Sequence, residues 1–214
     1  MRMRKKKCTP KRLELYKDFF ITLHDGELVN SEEIFKNKNP LCLEIGAGKG
    51  DFITELARQN PNINYIAFEK CSDVIAIAAT KAQGIENLRF ANIDAEIIDR
   101  VFPEGSVDTI YLNFSDPWPK SGQKKRRLTH TGFLEKYKTV LKESGHVEFK
   151  TDNVKLWEFS VEEMKKFPMN IKEIYNDLHA EKPEGNIMTE YERRFSEAGV
   201  PIHKIVAEFQ KESR

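Results

Sequence analysis

The segment Glu44-Ile45-Gly46-Ala47-Gly48-Lys49-Gly50-Asp51 sets three glycines at alternate positions behind a short apolar run. Glycines so spaced let a backbone approach a ligand closely, and a helix starting after them offers unpaired N–H groups. Two phosphate-bearing cofactor classes fit this segment poorly. A dinucleotide site wants GxGxxG, and Asp51 stands where the third glycine belongs. A phosphate-binding loop wants GxxxxGK[ST], which Lys49-Gly50 does not supply. Asp51 also brings negative charge to the helix start, where a pyrophosphate would sit. A second centre of chemistry lies at Asn113-Phe114-Ser115-Asp116-Pro117-Trp118-Pro119-Lys120. Two prolines around a tryptophan stiffen a turn, and such a turn holds Asp116 in one direction.

The elements that position these residues alternate along the chain. Leu41–Ile45, Asn64–Phe68, Leu88–Ile93, Val107–Phe114 and Gly145–Lys150 read as strands. Asp51–Gln59, Val74–Ala82, Glu96–Val101, Thr131–Leu141 and Val154–Lys166 read as the helices between and after them, with Gly84 and Pro168 as stops and Pro103–Gly105 as a turn. That alternation predicts an α/β fold, a mostly parallel sheet with helices on both faces. Ile171–Asn176 and Ile202–Phe209 read as two further strands with no strong helix pattern between them, which predicts an antiparallel hairpin at one edge. Three acids then close successive strands: Glu44, Glu69 and Asp94. Ligands of open α/β sheets bind at those carboxyl ends.

Charge is unevenly distributed. The 214 residues carry a net +1, yet residues 1–12 hold seven cations (Arg2, Arg4, Lys5, Lys6, Lys7, Lys11, Arg12) and no acid. Residues 120–127 hold five more (Lys120, Lys124, Lys125, Arg126, Arg127), again without an acid. Outside these segments 23 basic residues face 34 acidic ones. Two cationic patches on an acidic body point to a localised polyanion contact, and the second adjoins the Asp116 turn. The expected organisation is a basic arm and lead-in over 1–30, followed by a single domain over 31–214. Three cysteines without a CxxC and five scattered histidines predict neither a disulfide framework nor a metal site. The basic start has no apolar core behind it, and no segment reaches the ~20 apolar residues of a membrane span, so the expected setting is the cytoplasm.

The E-x-G-x-G-x-G pattern resembles the first motif of S-adenosyl-L-methionine-dependent methyltransferases of the Rossmann-like class I fold. That cofactor is a sulfonium with an ammonium group, so acids beside it make electrostatic sense. The resemblance implies that Glu44 faces the methionyl ammonium, Glu69 the ribose hydroxyls and Asp94 the adenine amino group, with Gly46, Gly48 and Gly50 forming the turn. The Asp116 turn is similar to the D-P-P-Y motif of nucleic-acid amino-methyltransferases, with Trp118 at its third position. On these residues alone an exocyclic-amine methyltransferase, a non-catalytic RNA-binding protein and a small-molecule enzyme of the same fold all remain open.

N-F-S-D-P-W-P-K followed by K-R-R narrows the choice, because it resembles the small, single-chain bacterial tRNA (guanine-N7)-methyltransferases. Phe149–Asn153, Asp177–His179, Gly185–Glu192 and the Met-Arg-Met-Arg start agree with that family, in order, over nearly the whole chain. Where the family usually carries an Arg-His pair, this chain has Gly122 and Gln123. The resemblance implies that Asp116 is the catalytic residue, counted among the cofactor contacts as well. It further implies that Lys120, Lys124, Lys125, Arg126, Arg127, Asp152, Thr189, Glu190, Tyr191 and Glu192 line the RNA site, with tRNA as partner and a monomer or homodimer as the working unit. From spacing alone, Thr189 reads instead as the N-cap of an exposed helix.

Overall fold

The computed structural model describes residues 9–210. Helices α1 (Thr9–Leu15) and α2 (Ser31–Phe35) lead into strand β1 (Leu41–Ile45). There follow α3 (Asp51–Gln59), β2 (Asn64–Phe68), α4 (Ser72–Lys81), β3 (Leu88–Ala91), α5 (Ile98–Val101) and β4 (Val107–Asn113). Next come α6 (Thr131–Val140), β5 (Leu141–Thr151), α7 (Val154–Lys166) and β6 (Met169–Tyr175). The last elements are α8 (Leu178–Glu181), α9 (Glu190–Glu197) and β7 (His203–Phe209). The sheet order is β3-β2-β1-β4-β5-β7-β6, parallel from β3 to β5. β7 inserts antiparallel between β5 and β6, so the two late strands do pair at one edge.

Side-chain alternation assigns each face. Leu41, Leu43, Ile45, Ile110, Leu112, Val147 and Phe149 pack with the buried residues of α5, α6 and α7. Cys42, Tyr65, Ala67, Leu88 and Phe90 pack on the other face with Phe52, Ile53, Ala78 and Ala79 of α3 and α4. The even-spaced partners Glu44, Asn113 and Lys150 therefore share the α3 face at the carboxyl ends of three adjacent strands. β1 and β4 are neighbours at the point where strand order reverses, the position where doubly wound sheets open a crevice.

Two expectations change. The stretch between β6 and β7 is not helix-free: α8 and α9 are there, short and strongly capped, with Asp177 accepting from the His179 and Ala180 N–H groups and Thr189 from the Glu192 N–H. β5 also starts at Leu141, directly from α6, four residues before the predicted start. The described part of the lead-in lies against the domain. Thr9 hydrogen-bonds to Asp73 at the start of α4, the Ile21 N–H donates to the Phe90 carbonyl (2.9 Å), and the Val29 N–H donates to the Val101 carbonyl (2.7 Å). Arg2, Arg4, Lys5, Lys6 and Lys7 fall outside the described residues. Among the described residues no helix is long and apolar enough to cross a membrane, and no His/Cys/Asp/Glu group is arranged to hold a metal.

Candidate active site

A cavity of about 370 Å³ opens above the carboxyl ends of β1 to β4. That volume lies within the ~300–1,000 Å³ typical of small-molecule sites. Gly46, Gly48, Glu69, Asp94 and Asp116 line it, each contributed by the loop after a different strand or by the glycine turn. Gly46 (φ +81) and Gly48 (φ +56) have open space where a Cβ would stand, so the turn leaves room over its backbone. The carboxylate of Glu69 accepts from the Gly48 N–H (3.2 Å) and the Cys71 N–H (2.8 Å), which ties the ends of β1 and β2 together and fixes its direction. Asp94 is exposed and caps the turn after β3 by accepting from the Glu96 N–H (3.2 Å).

Glu44, near the end of β1 and outside the cavity lining, is 2% exposed. One oxygen accepts from the Asn113 side-chain amide at 3.0 Å, while Oε2 is buried without a hydrogen-bond partner. Burial pushes its carboxyl up to about 7, against the pull of Asn113 and the Lys150 ammonium. An orphaned buried carboxylate oxygen at the root of a glycine turn fits a cationic ligand group, and the ammonium of S-adenosyl-L-methionine has that chemistry. Ser115 Oγ, on the cavity wall, is a second buried polar atom without a partner.

Gly50 has a different task from the other two glycines. It sits outside the cavity lining at φ +77, and a Cβ there would meet the Ala78 Cβ at 2.7 Å. Its smallness lets α3 and α4 pack closely.

The basic segment divides in two. Lys120, Lys124, Lys125 and Arg126 are exposed, and Arg126 lines the cavity. Arg127, expected among the RNA contacts, is instead 7% exposed. Its Nε donates to the Pro117 carbonyl (2.9 Å) and its Nη2 to the Trp118 carbonyl (3.1 Å), while the guanidinium lies over the Phe159 ring at 4.3 Å. A proline-rich turn leaves carbonyls that no ladder satisfies, and a forked donor answers two at once. Arg127→Ala is accordingly expected to destabilise the fold by about 2–3 kcal/mol through the two orphaned carbonyls and the lost packing. Chemical unfolding checks this, and the salt dependence of RNA binding should stay unchanged in the same variant.

Within Thr189–Glu192 the structure turns Thr189 and Glu192 inward and leaves Tyr191 exposed. Glu192 is fully buried, and its carboxylate accepts from Lys150 Nζ (3.2 Å) and the Asn186 amide (2.7 Å), with His179 Nε2 at 3.2 Å. It is not open to a nucleic acid. Lys150, 3% exposed, also donates to Asn186 Oδ1 (2.5 Å) and the Ile187 carbonyl (3.1 Å), so one buried ammonium fastens residues 186–192 to the sheet. Thr189 is the N-cap of α9 and buried; the Glu190 side chain falls outside the described ones. Tyr191 is exposed and packs on Phe114 (5.3 Å) and Phe195 (4.5 Å). Burial, and then the Asp152 carboxylate, push its phenol up, which places half-buried Asp152 near that ring. Asn113 and Lys150 join the site through long-range contacts, although both stand inside the Asn113–Lys120 and Phe149–Asn153 motifs.

Comparison with known proteins agrees with this geometry. A family model described as "Putative methyltransferase" matches residues 38–205. The tRNA (guanine-N(7)-)-methyltransferase of Streptococcus thermophilus is 42% identical over 98% of this chain and 100% of its own. That of Lachnoclostridium phytofermentans is 51% identical over 89% of this chain and 91% of its own. Among solved structures, the 16S rRNA methyltransferase KamB superposes with a TM-score of 0.64 over 88% of this chain and 99% of its own, at 15% identity, which shows a shared class I methyltransferase fold. With a matching family model over most of its length and relatives aligned nearly end to end, the chain belongs to the tRNA (guanine-N(7)-)-methyltransferase family.

Proposed function

We propose that this protein moves a methyl group from S-adenosyl-L-methionine to N7 of a guanosine in the variable loop of tRNA. The observation that carries the reading is the near full-length match to relatives of that name. The cavity supports it, with Asp116 fixed at its rim beside exposed Lys120, Lys124, Lys125 and Arg126. Guanine N7 has a lone pair and no proton, so no general base is needed. Catalysis then comes from alignment and from electrostatics that favour a cationic product. Asp116 accepts from the guanine N1–H and the N2 amino group, which orients the base and stabilises the charge growing on it.

The cofactor supplies an electrophilic methyl on a sulfonium centre. Glu44 Oε2 would hold its ammonium, Glu69 the ribose hydroxyls and Asp94 the adenine amino group, with Gly46 and Gly48 leaving space for the methionyl part. Exposed lysines of residues 120–125 meet phosphates, a contact whose strength falls as salt rises. Incubation of the purified protein with unmodified tRNA and methyl-labelled cofactor, followed by nucleoside chromatography, tests the reading. Label is expected in 7-methylguanosine, and label only in another nucleoside would refute it.

The Glu44 carboxyl gives a pH dependence with a definite sign. Its folded value, about 7, lies above the ordinary 4.5, so the folded state binds the proton more tightly than the unfolded chain. Stability from this group is therefore full below the ordinary value, is lost as pH rises towards about 7, and then levels off. Cofactor binding needs the carboxylate, so affinity for S-adenosylhomocysteine is expected to rise through that same window. Glu44→Gln should flatten both trends, binding about as the parent does at the acid end and more weakly than it above about pH 7. Calorimetric titrations from about pH 5.5 to about pH 8.5 check it.

A further inference from the structure

Trp118 shares the cavity wall with Asp116, Phe114 and Arg126. Its backbone stands at φ +40, in the left-handed region that bulky residues rarely adopt, and Phe114 is there too at +50. Arg127 holds the turn by bonding the Pro117 and Trp118 carbonyls, so the conformation is fixed by its surroundings. The Trp118 backbone is accordingly held in place, and its indole is only half-buried.

Two cations already lie on that ring. The Arg126 guanidinium is 4.2 Å from the ring centroid and Lys70 Nζ is 5.9 Å from it. An aromatic face attracts cations, and indole does so most strongly. Arg126 lines the cavity together with Trp118, so its planar, delocalised cation occupies room that a planar ligand would need. A guanine methylated at N7 is likewise a planar, delocalised cation.

We infer that the Trp118 indole is a planar-cation site, held by Arg126 in the free protein and taken by the target base as it becomes methylated. The inference rests on the N7-transfer reading. In that transfer N7 contributes the electron pair of the new N–C bond, the S–C bond breaks with its pair left on sulfur, and no proton moves. Positive charge thus passes into the purine ring. The indole interacts more strongly with that ring than with neutral guanine, and an interaction gained only along the reaction raises kcat rather than lowering KM. Trp118 is in this sense a base-stacking residue that favours the transition state.

The test compares 7-methylguanosine 5′-monophosphate with guanosine 5′-monophosphate by calorimetry at about pH 6, where the methylated ring is cationic. The parent protein is expected to bind the methylated nucleotide about tenfold more tightly. Trp118→Leu should sharply reduce that preference, leaving the part that Asp116 supplies, and lower kcat on tRNA about tenfold, with KM moving much less. Trp118→Phe should keep part of both. Arg126→Ala, which removes the resident cation, should tighten the methylated nucleotide further. Circular dichroism shows whether each variant folds; if the leucine variant does not, the phenylalanine and Arg126 variants decide. No preference in the parent protein, or a preference unchanged in the Trp118 variants, would overturn the inference. A parent protein that makes no 7-methylguanosine in tRNA would instead overturn the transfer reading itself.

Discussion

Asp116→Ala is expected to remove tRNA methylation, by at least ~10²–10³-fold in kcat, while S-adenosylhomocysteine still binds within about twofold of the parent protein. The carboxylate stands at the cavity rim in a turn stiffened by Pro117 and Pro119 and tied down by Arg127. Such a carboxylate can both accept two donors from the guanine edge and counter the positive charge developing in the ring. Asp116→Asn should do no better than alanine, since its amide would present a donor to the N1–H donor. Turnover with labelled tRNA and calorimetry with the cofactor product separate the two functions. Equal loss of cofactor binding would move Asp116 from the base to the cofactor.

The second large effect is expected at Lys150→Met, which should cost about 3–5 kcal/mol of stability. The substitution leaves the Glu192 carboxylate wholly buried without its ammonium, and removes the donor that serves Asn186 and the Ile187 carbonyl. For a chain of this size the thermal midpoint should fall on the order of 10 °C. The double variant Lys150→Met/Glu192→Gln should recover more than half of the loss, because the buried charge goes with its partner. A double-mutant cycle by denaturant unfolding measures this. Additive losses would show that the pair is not coupled. The same fastening holds α9, so Lys150→Met should also slow methylation at temperatures where the protein remains folded.

What the sequence revealed was whatever depends on neighbours along the chain. The glycine turn, the acids Glu69 and Asp94 at strand ends and the stiff turn around Asp116 converge on one cavity, because parallel strands bring their carboxyl ends to one edge. Pairing of β6 and β7 was likewise readable from their patterns. What stayed hidden depends on contacts far apart in sequence. α9 is only eight residues long and mostly charged, and its place is set by Thr189 capping and by Lys150, about 40 residues earlier. A run of cations does not tell which member turns inward, and Arg127 does so because two carbonyls of a proline turn need donors. Gly50 belongs to a glycine motif, but only the approach of Ala78 shows what its missing side chain serves.

The most direct measurement of the central claim is chain scission of the methylated tRNA. Mild reduction followed by aniline breaks an RNA chain at N7-methylguanosine and leaves exocyclically methylated bases intact. Unmodified tRNA treated with this protein and S-adenosyl-L-methionine should give a single cut, in the variable loop, and none after treatment with the Asp116→Ala variant. Methyl label incorporated without a cut would contradict N7 transfer and point to an exocyclic amine as the acceptor.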